Sequence, residues 1–191
     1  LSHSLIMSEY NKLINDINNR KFSPVYLIHG QENYFSDKII KHLVSNVISE
    51  DAVDFDLKKI YGKKSDENQE SEVIDFIKRF PLSGDYNLVV VRDSKNLSND
   101  FNKIVSYIEN SNSKSILVLA FNENIDKRKK IYKSSQKNGV VFESKKIYEN
   151  QVYKWIEDQC ALISLNLHPN SIKIISDLSL IHISEPTRLR H

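Results

Sequence analysis

The residues of this chain with the clearest spacing for chemistry surround Gly30. A β-branched and aromatic run, 25–28, reaches this glycine and is followed by an apolar-periodic helix, which is the arrangement of a phosphate-binding strand, loop and helix. Such a loop requires G-x-x-x-x-G-K-[ST], whereas this sequence reads Gly30-Gln31-Glu32-Asn33-Tyr34-Phe35-Ser36-Asp37-Lys38. It lacks the second glycine, and two carboxylates would face any phosphate. The sequence therefore predicts the strand, loop and helix of such a site without the residues that bind a nucleotide.

A second requirement for nucleotide hydrolysis is also missing. The strands that hold Mg²⁺ in such enzymes end in acidic residues, and no predicted strand here ends in Asp-Asp or Asp-Glu. A zinc site is not indicated either, because Cys160 is the single cysteine and the 6 histidines never approach zinc-ligand spacing. We therefore expect no catalytic residue and no cofactor. A nucleotide-dependent α/β enzyme with an atypical phosphate loop is the alternative.

The elements that would position this loop alternate along the chain. The spacing of apolar residues predicts helices at 10–17, 39–47, 70–79, 99–108 and 126–136. Apolar or alternating runs predict strands at 25–28, 53–60, 88–91, 116–121 and 139–144. The runs 88–91 and 116–121 are unbroken, as expected for strands that crossover helices cover on both faces. The sequence thus predicts an α/β fold with a doubly wound parallel sheet.

The chain is predicted to contain more than one part. An α/β domain occupies residues 7–143, and helices at 149–163 and 169–178 form part of a small helical domain at 144–178. Residues 1–6 precede Met7, where the amphipathic pattern begins, and are expected to be a non-native leader. Residues 179–191 show no helical periodicity and no capping signal. They resemble translated vector sequence and are expected to be a non-native tail.

Composition excludes several classes of protein. The chain has 27 basic and 25 acidic residues, so its net charge gives no argument for nucleic acid, and any basic surface must be local. No apolar run approaches the roughly 20 residues of a membrane span. A single cysteine fits a reducing compartment. We expect a cytoplasmic protein without a membrane partner.

The strongest local charge cluster lies in the helix predicted at 126–136. Its basic side chains could contact the phosphates of a nucleic acid, and the candidates are Lys127, Arg128, Lys129 and Lys130. The charge pattern alone favours the alternative, which is a solvated helix face. A DNA-binding module that uses this helix is therefore a second alternative function.

The stretch RFPLSGDYN, residues 79–87, interrupts an amphipathic helix just before a buried strand. Pro81 and Gly84 end the helix and leave Phe80 and Leu82 beside the break. Phe80 could fold into the core as part of an ordinary connection. Alternatively, Phe80 and Leu82 form an apolar wedge that binds a partner, since two such anchors can supply most of the energy of an interface. The pattern leaves both interpretations open.

Four segments occur in an order that is typical of one family. They read PVYLIHGQENYFSDKII, RFPLSGDYNLVVVRD, DKRKKIYKSSQKNGVVFESKKIYENQVYKWIED and LHPNSIKIISDL. Over about Glu9 to Leu178 they resemble the delta subunit of the bacterial DNA polymerase III clamp loader. The resemblance implies an AAA+ fold, with a RecA-like α/β domain, a small helical lid and a helical collar. It also implies that the frame around Gly30 does not bind ATP and is a structural platform in a ring whose other members hydrolyse it.

The resemblance further implies a function and a set of partners. The family's delta subunit opens the sliding clamp by pushing an apolar pair, at the end of the helix before the third strand, into a pocket on the clamp. By position this element is Phe80, Pro81, Leu82 and Ser83. The implied partners are the sliding clamp (the beta subunit), the tau/gamma and delta prime subunits, and primed DNA through the complex. The chain is thus expected to be a non-catalytic subunit of the polymerase holoenzyme, truncated before the collar.

Overall fold

The structure, a computed structural model, describes residues 2–64, 68–145, 156–157, 160–161 and 168–175, and only the backbone of residues 2–7. The chain divides into two compact units, 1–145 and 146–191. In the second unit, residues 156–157, 160–161 and 169–175 are helical. The remainder of the two helices predicted there, and the predicted tail, lie outside the described residues. None of the described helices has the length and hydropathy needed to cross a bilayer.

Helices and strands alternate through the first unit. Its elements are α1 (Ser2–Asn18), β1 (Val25–His29), α2 (Asn33–Val47), a 3-10 turn (Glu50–Ala52), α3 (Val53–Asp56), β2 (Leu57–Tyr61), α4 (Gln69–Ile77), β3 (Asn87–Arg92), a second 3-10 turn (Ser94–Asn96), α5 (Asn102–Glu109), β4 (Ser115–Phe121), α6 (Lys130–Asn138) and β5 (Val140–Glu143). The strands form a 5-stranded sheet in the order β2-β3-β4-β1-β5, and all pairs are parallel. The predicted doubly wound parallel sheet is confirmed.

The centre of the sheet is covered on both faces. Every residue of β1 and β4 is buried. One face packs against α4, α5 and α6 through a cluster that includes Leu27, Val89 and Leu117. Helices α1 and α2 contact each other and reach β5 and β3, respectively. Because neither face of β3 and β4 meets water, their apolar runs are continuous rather than alternating.

Aromatic packing joins α1 and α2 to the edge strand β5. The ring of Phe35 lies 5.0 Å from that of Tyr10 and 6.1 Å from that of Phe142. Phe35 is fully buried, so this cluster fixes the first turn of α2 against its neighbours. The backbone of α1 begins at Ser2, inside the segment 1–6 predicted to be a leader, and the assignment of a leader stays a prediction.

The prediction of a strand over residues 53–60 is wrong in its first half. Val53–Asp56 forms the single-turn helix α3, and β2 begins only at Leu57. The alternation of apolar and acidic residues imitates a half-exposed strand, but tertiary contacts override this local preference. The Asp56 side chain turns inward, where a neighbouring loop supplies hydrogen-bond donors, while Phe55 remains exposed.

Two predicted helices begin later than expected. The basic helix predicted from Asp126 begins at Lys130, because Asp126 Oδ1 accepts a hydrogen bond from the backbone N–H of Arg128 at 2.9 Å. When an aspartate side chain accepts a hydrogen bond from the backbone N–H two residues later, the chain forms a non-helical turn at that position. The helix predicted over 99–108 begins at Asn102, after a similar bond from its backbone N–H to Asp100.

Candidate functional site

The apolar pair after α4 is displayed on the surface. At the end of α4 the backbone N–H of Arg79 donates a hydrogen bond to the carbonyl of Phe76 at 3.2 Å. Pro81 then prevents the helix from continuing. Phe80 is 76% exposed and Leu82 is 70% exposed, the highest values among the large apolar side chains that the structure describes. The pair therefore does not fold into the core. We call residues 79–84 the apolar loop.

The other two predicted members of this element differ in exposure. Pro81 is half-buried, whereas Ser83 is exposed. The structure thus brings the four residues into one surface loop, with two apolar side chains directed outward beside a proline. Assignment of this loop as a clamp-binding element stays a prediction.

A buried carboxylate holds the backbone of the apolar loop. Asp56 is fully buried, and its Oδ1 accepts a hydrogen bond from the backbone N–H of Leu82 at 2.6 Å. Its Oδ2 accepts from the N–H groups of Ser83 at 2.8 Å and Gly84 at 2.6 Å. Burial alone would raise the pKa of Asp56, but these three hydrogen bonds outweigh it and hold the pKa below its ordinary value. The loop is therefore anchored by an ionised side chain.

Further contacts tie the start of the apolar loop to its surroundings. The Arg79 guanidinium lies 3.9 Å from the ring centroid of Phe76, and its Nη2 donates a hydrogen bond to the carbonyl of Phe55 at 3.2 Å. Asn87 Nδ2 donates to the carbonyl of Arg79 at 2.5 Å. The loop is consequently fixed at both ends, and Phe55, which is 52% exposed, lies beside it. Sequence reasoning missed Asp56, Phe55 and Asn87, because their contacts with the loop are not local.

The predicted phosphate loop contains a helix cap of its own. Only Gly30–Glu32 separates β1 from α2. The side chain of Glu32 accepts a hydrogen bond from the backbone N–H of Tyr34 at 3.1 Å. A carboxylate thus occupies the helix N-terminus, where a phosphate-binding loop would present its amides to an anion.

The positions that would hold phosphate and Mg²⁺ have other structural roles. Counted from Gly30, the second glycine, the lysine and the hydroxyl residue of the signature fall on Phe35, Ser36 and Asp37. Phe35 is in the aromatic cluster, and Asp37 pairs with Arg92 at 2.5 Å. Among the described residues, no group of three or more histidines, cysteines and carboxylates could hold a metal ion.

Gly30 itself is required by close packing. Its φ is +130°, and a Cβ there would lie 2.0 Å from the carbonyl oxygen of Ser144. The backbone N–H of Ser144 donates to the carbonyl of His29 at 2.6 Å, and its hydroxyl donates to the carbonyl of Glu32. The chain that leaves β5 therefore fills the space beside this glycine.

His29, at the end of β1, is buried, and neither ring nitrogen has a hydrogen-bond partner among the residues that the structure describes. Burial lowers its pKa; Lys127 and Lys145 lower the pKa further, while Glu143 opposes them. A histidine whose pKa is lower in the folded state takes up more protons when unfolded, so its contribution to stability decreases as pH falls through its ordinary value of about 6.5.

We expect the melting temperature to fall between pH 7.5 and pH 5, and the His29→Leu variant to show a smaller fall, because leucine cannot be protonated. Thermal unfolding followed by circular dichroism over this pH range tests the prediction. The variant His168→Gln, at an exposed position, is the control and should retain the wild-type slope. Equal slopes for His29→Leu and the wild type would contradict the assignment to His29.

The basic residues singled out in the sequence lie in the turn before α6 and at its first residue. All four are exposed, and two are paired with acids. Lys127 Nζ lies 3.1 Å from a carboxylate oxygen of Glu143, and this hydrogen bond raises the pKa of Lys127. Arg128 lies 2.9 Å from Asp126, and its side-chain hydrogen bonds lower the pKa of Asp126 to about 2. The positive charge offered to a nucleic acid is thus partly neutralised, and DNA contact by any of the four residues stays a prediction.

Comparison with known proteins gives concordant results from sequence and fold. Residues 26–145 match the family described as DNA polymerase III, delta subunit. The DNA polymerase III subunit delta of Bacillus subtilis (strain 168) is 25% identical over 134 residues, which cover 65% of this chain and 38% of that protein. The solved Bacillus subtilis DNA clamp loader delta protein (YqeN) has a TM-score of 0.74 at 18% identity, covering 85% of this chain and 50% of that chain.

A more distant fold neighbour is a point variant of Thermotoga maritima RuvB, with a TM-score of 0.50 at 11% identity over 91% of this chain and 55% of that chain. The AAA+ α/β fold expected from the resemblance is therefore confirmed. The chain spans half or less of the length of the two delta proteins. Because the family match covers more than half of the sequence, the chain belongs to the delta subunit family of DNA polymerase III.

Proposed function

We propose that this chain binds the sliding clamp, the beta subunit of the polymerase, and contributes to opening it during DNA replication. The observation that carries this proposal is the exposure of Phe80 and Leu82 on a loop whose backbone is anchored from inside. Membership of the delta family supplies the identity of the partner. Pro81 and Ser83 complete the proposed contact.

The geometry of the apolar loop suits a binding anchor. Complete burial of a phenylalanine or leucine side chain contributes about 1.5 to 3 kcal/mol, and here both side chains begin largely in water. A loop that is already ordered loses little conformational entropy when its partner binds. Exposure and anchoring together therefore favour an interface with its energy concentrated in two side chains.

A direct test is binding of the purified chain to immobilised Bacillus subtilis sliding clamp, measured by surface plasmon resonance. We expect saturable binding that an excess of soluble clamp competes away. A dissociation constant of about 50 μM corresponds to a binding free energy of about 6 kcal/mol. Absence of binding at chain concentrations up to that value would contradict the proposal.

We further propose that the chain is not an ATPase, and we expect no saturable binding of Mg-ATP in isothermal titration calorimetry. The reason is that Glu32 caps α2 and that the signature lysine is absent, so neither an open anion site nor its positive charge is available. The Glu32→Ala variant should also fail to bind, since removal of the cap does not supply the lysine. Binding with a low-micromolar dissociation constant would favour the nucleotide-dependent enzyme instead.

Contact with primed DNA is proposed only within the assembled loader. Lys129 and Lys130 extend the exposed basic segment, but the ion pairs of Lys127 and Arg128 lessen the support for an independent DNA-binding module. Salt-sensitive binding of the isolated chain to primed DNA, without any clamp, would favour that alternative. The tau/gamma and delta prime subunits are the proposed partners in the complex, and the cytoplasm is its proposed location.

A further inference from the structure

The carboxylate of Asp56 accepts hydrogen bonds from three successive backbone amides. The backbone N–H groups of residues 82–84 all donate to it, at 2.6 to 2.8 Å. Hydrogen bonds to an ionised acceptor are about twice as strong as those between neutral groups. The residue lies at the end of α3, 26 positions before Leu82, so the link is a tertiary one. An acid of this kind is costly to bury unless its hydrogen bonds are made.

We propose that Asp56 is a positioning residue for clamp binding, which fixes the backbone of the apolar loop so that Phe80 and Leu82 are presented together. This inference rests on the proposed function. It adds a residue that does not itself reach the partner, because Asp56 is fully buried.

The exposed side chains cannot hold the loop themselves. Phe80 and Leu82 have most of their surface in water, so the conformation depends on backbone contacts. On one side the carbonyl of Arg79 is held by Asn87, and on the other side the amides are held by Asp56. Without the Asp56 carboxylate, the backbone N–H groups of residues 82–84 would lose their hydrogen-bond acceptor.

The loop backbone lies in van der Waals contact with the segment that carries the carboxylate. A Cβ placed on Gly84 would lie 3.5 Å from Asp56 Oδ2 and 3.4 Å from the Cβ of Ala52, so the loop lies against α3 and the 3-10 turn before it. Asparagine at position 56 would keep the size of the side chain but would offer one acceptor oxygen to three donors. Its amide would also add donors that face the loop amides. The loop would therefore lose preorganisation while its two apolar side chains remain.

The test compares Asp56→Asn with Asp54→Asn, a matched change of charge at an exposed position on the same helix. We expect Asp56→Asn to weaken clamp binding about tenfold or more, through loss of loop order. Asp54→Asn should bind within about twofold of the wild type, the spread expected of surface substitutions. Wild-type affinity for Asp56→Asn would overturn the inference.

A second readout separates positioning from general loss of structure. In hydrogen exchange, the amides of Leu82, Ser83 and Gly84 should be protected in the wild type and should exchange faster in Asp56→Asn, while the amides of β1 and β4 stay protected. If the variant does not fold, the wild-type measurement still decides: exchange of these three amides at the rate of an unstructured peptide would overturn the inference.

Clamp binding by the variants distinguishes this inference from the proposed function. If the wild type does not bind the clamp, the proposed function fails, even if the three amides are protected. If the wild type binds, Asp56→Asn should lose much less affinity in a Leu82→Ala background than in the wild type, because it acts through that anchor. An equal loss in both backgrounds would show that Asp56 acts elsewhere.

Discussion

Replacement of Phe80 and Leu82 together by alanine should weaken binding to the sliding clamp by about 2 to 4 kcal/mol and leave the melting temperature unchanged. The loss arises because both side chains would be buried by the partner. Their exposures of 76% and 70% in the free chain mean that few core contacts are removed by the change. Binding and thermal unfolding are to be measured on the same preparation of protein.

Tyr61→Ala is a matched control for the loss of an exposed apolar side chain. Tyr61 is 59% exposed and lies at the opposite end of β2 from Asp56, so its truncation should leave the affinity for the clamp unchanged. If the double variant binds as tightly as the wild type, the clamp site lies elsewhere. Destabilisation of the double variant by several kcal/mol would instead indicate that its side chains pack in the core.

Gly30→Ala should lower the free energy of unfolding by about 3 kcal/mol or more. Two causes act together. The φ of +130° is strained for any side chain, and the new methyl group would overlap the carbonyl oxygen of Ser144. That oxygen belongs to the backbone where the chain leaves β5, so the overlap could be relieved only if the end of β5 moved. Urea unfolding followed by far-ultraviolet circular dichroism gives the measurement.

Gly84→Ala provides the comparison, because a Cβ there meets its nearest neighbour, the Cβ of Ala52, at the ordinary contact distance of 3.4 Å. We expect this change to alter the free energy of unfolding by less than about 1 kcal/mol. If Gly30→Ala were equally mild, the close approach of residues 30 and 144 would not exist in solution.

The sheet could be predicted because its sequence pattern follows directly from burial. The runs 88–91 and 116–121 are apolar without interruption, and the structure shows β3 and β4 with helices on both faces. The five-strand alternation with helices then leaves few topologies, since parallel crossovers are right-handed. Both the sheet and the absence of the phosphate-binding signature were therefore accessible from the sequence.

The short helix α3 could not be predicted, because its conformation depends on a distant loop. Residues 53–56 alternate as a strand does, but Asp56 must turn inward to reach amides 26 to 28 positions later. A sequence shows that a carboxylate is present and not which amides converge on it. For the same reason, the pattern at Phe80 left burial and exposure equally open. The anchored backbone, rather than the type of side chain, decides that Phe80 and Leu82 face water.

The delayed start of α6 has a more local cause. The charge and apolar pattern predicts Asp126 as the first residue of a basic helix, whereas its carboxylate accepts hydrogen bonds from the backbone N–H and the guanidinium of Arg128. The signal for such a turn, an aspartate two residues before a basic donor, is present in the sequence. It competes with helical periodicity, which does not identify the first residue of a helix.

The start of α2 holds both the positions of a phosphate-loop signature and part of the core. Substitutions that recreate the phosphate-loop signature would fall on Phe35, Ser36 and Asp37, and the first of these is fully buried among aromatic rings. Phe35→Gly would open a cavity in the core before any nucleotide could bind. Introduction of the signature by point mutation therefore passes through a destabilised intermediate, so the packing of Phe35 restricts which substitutions the start of α2 tolerates.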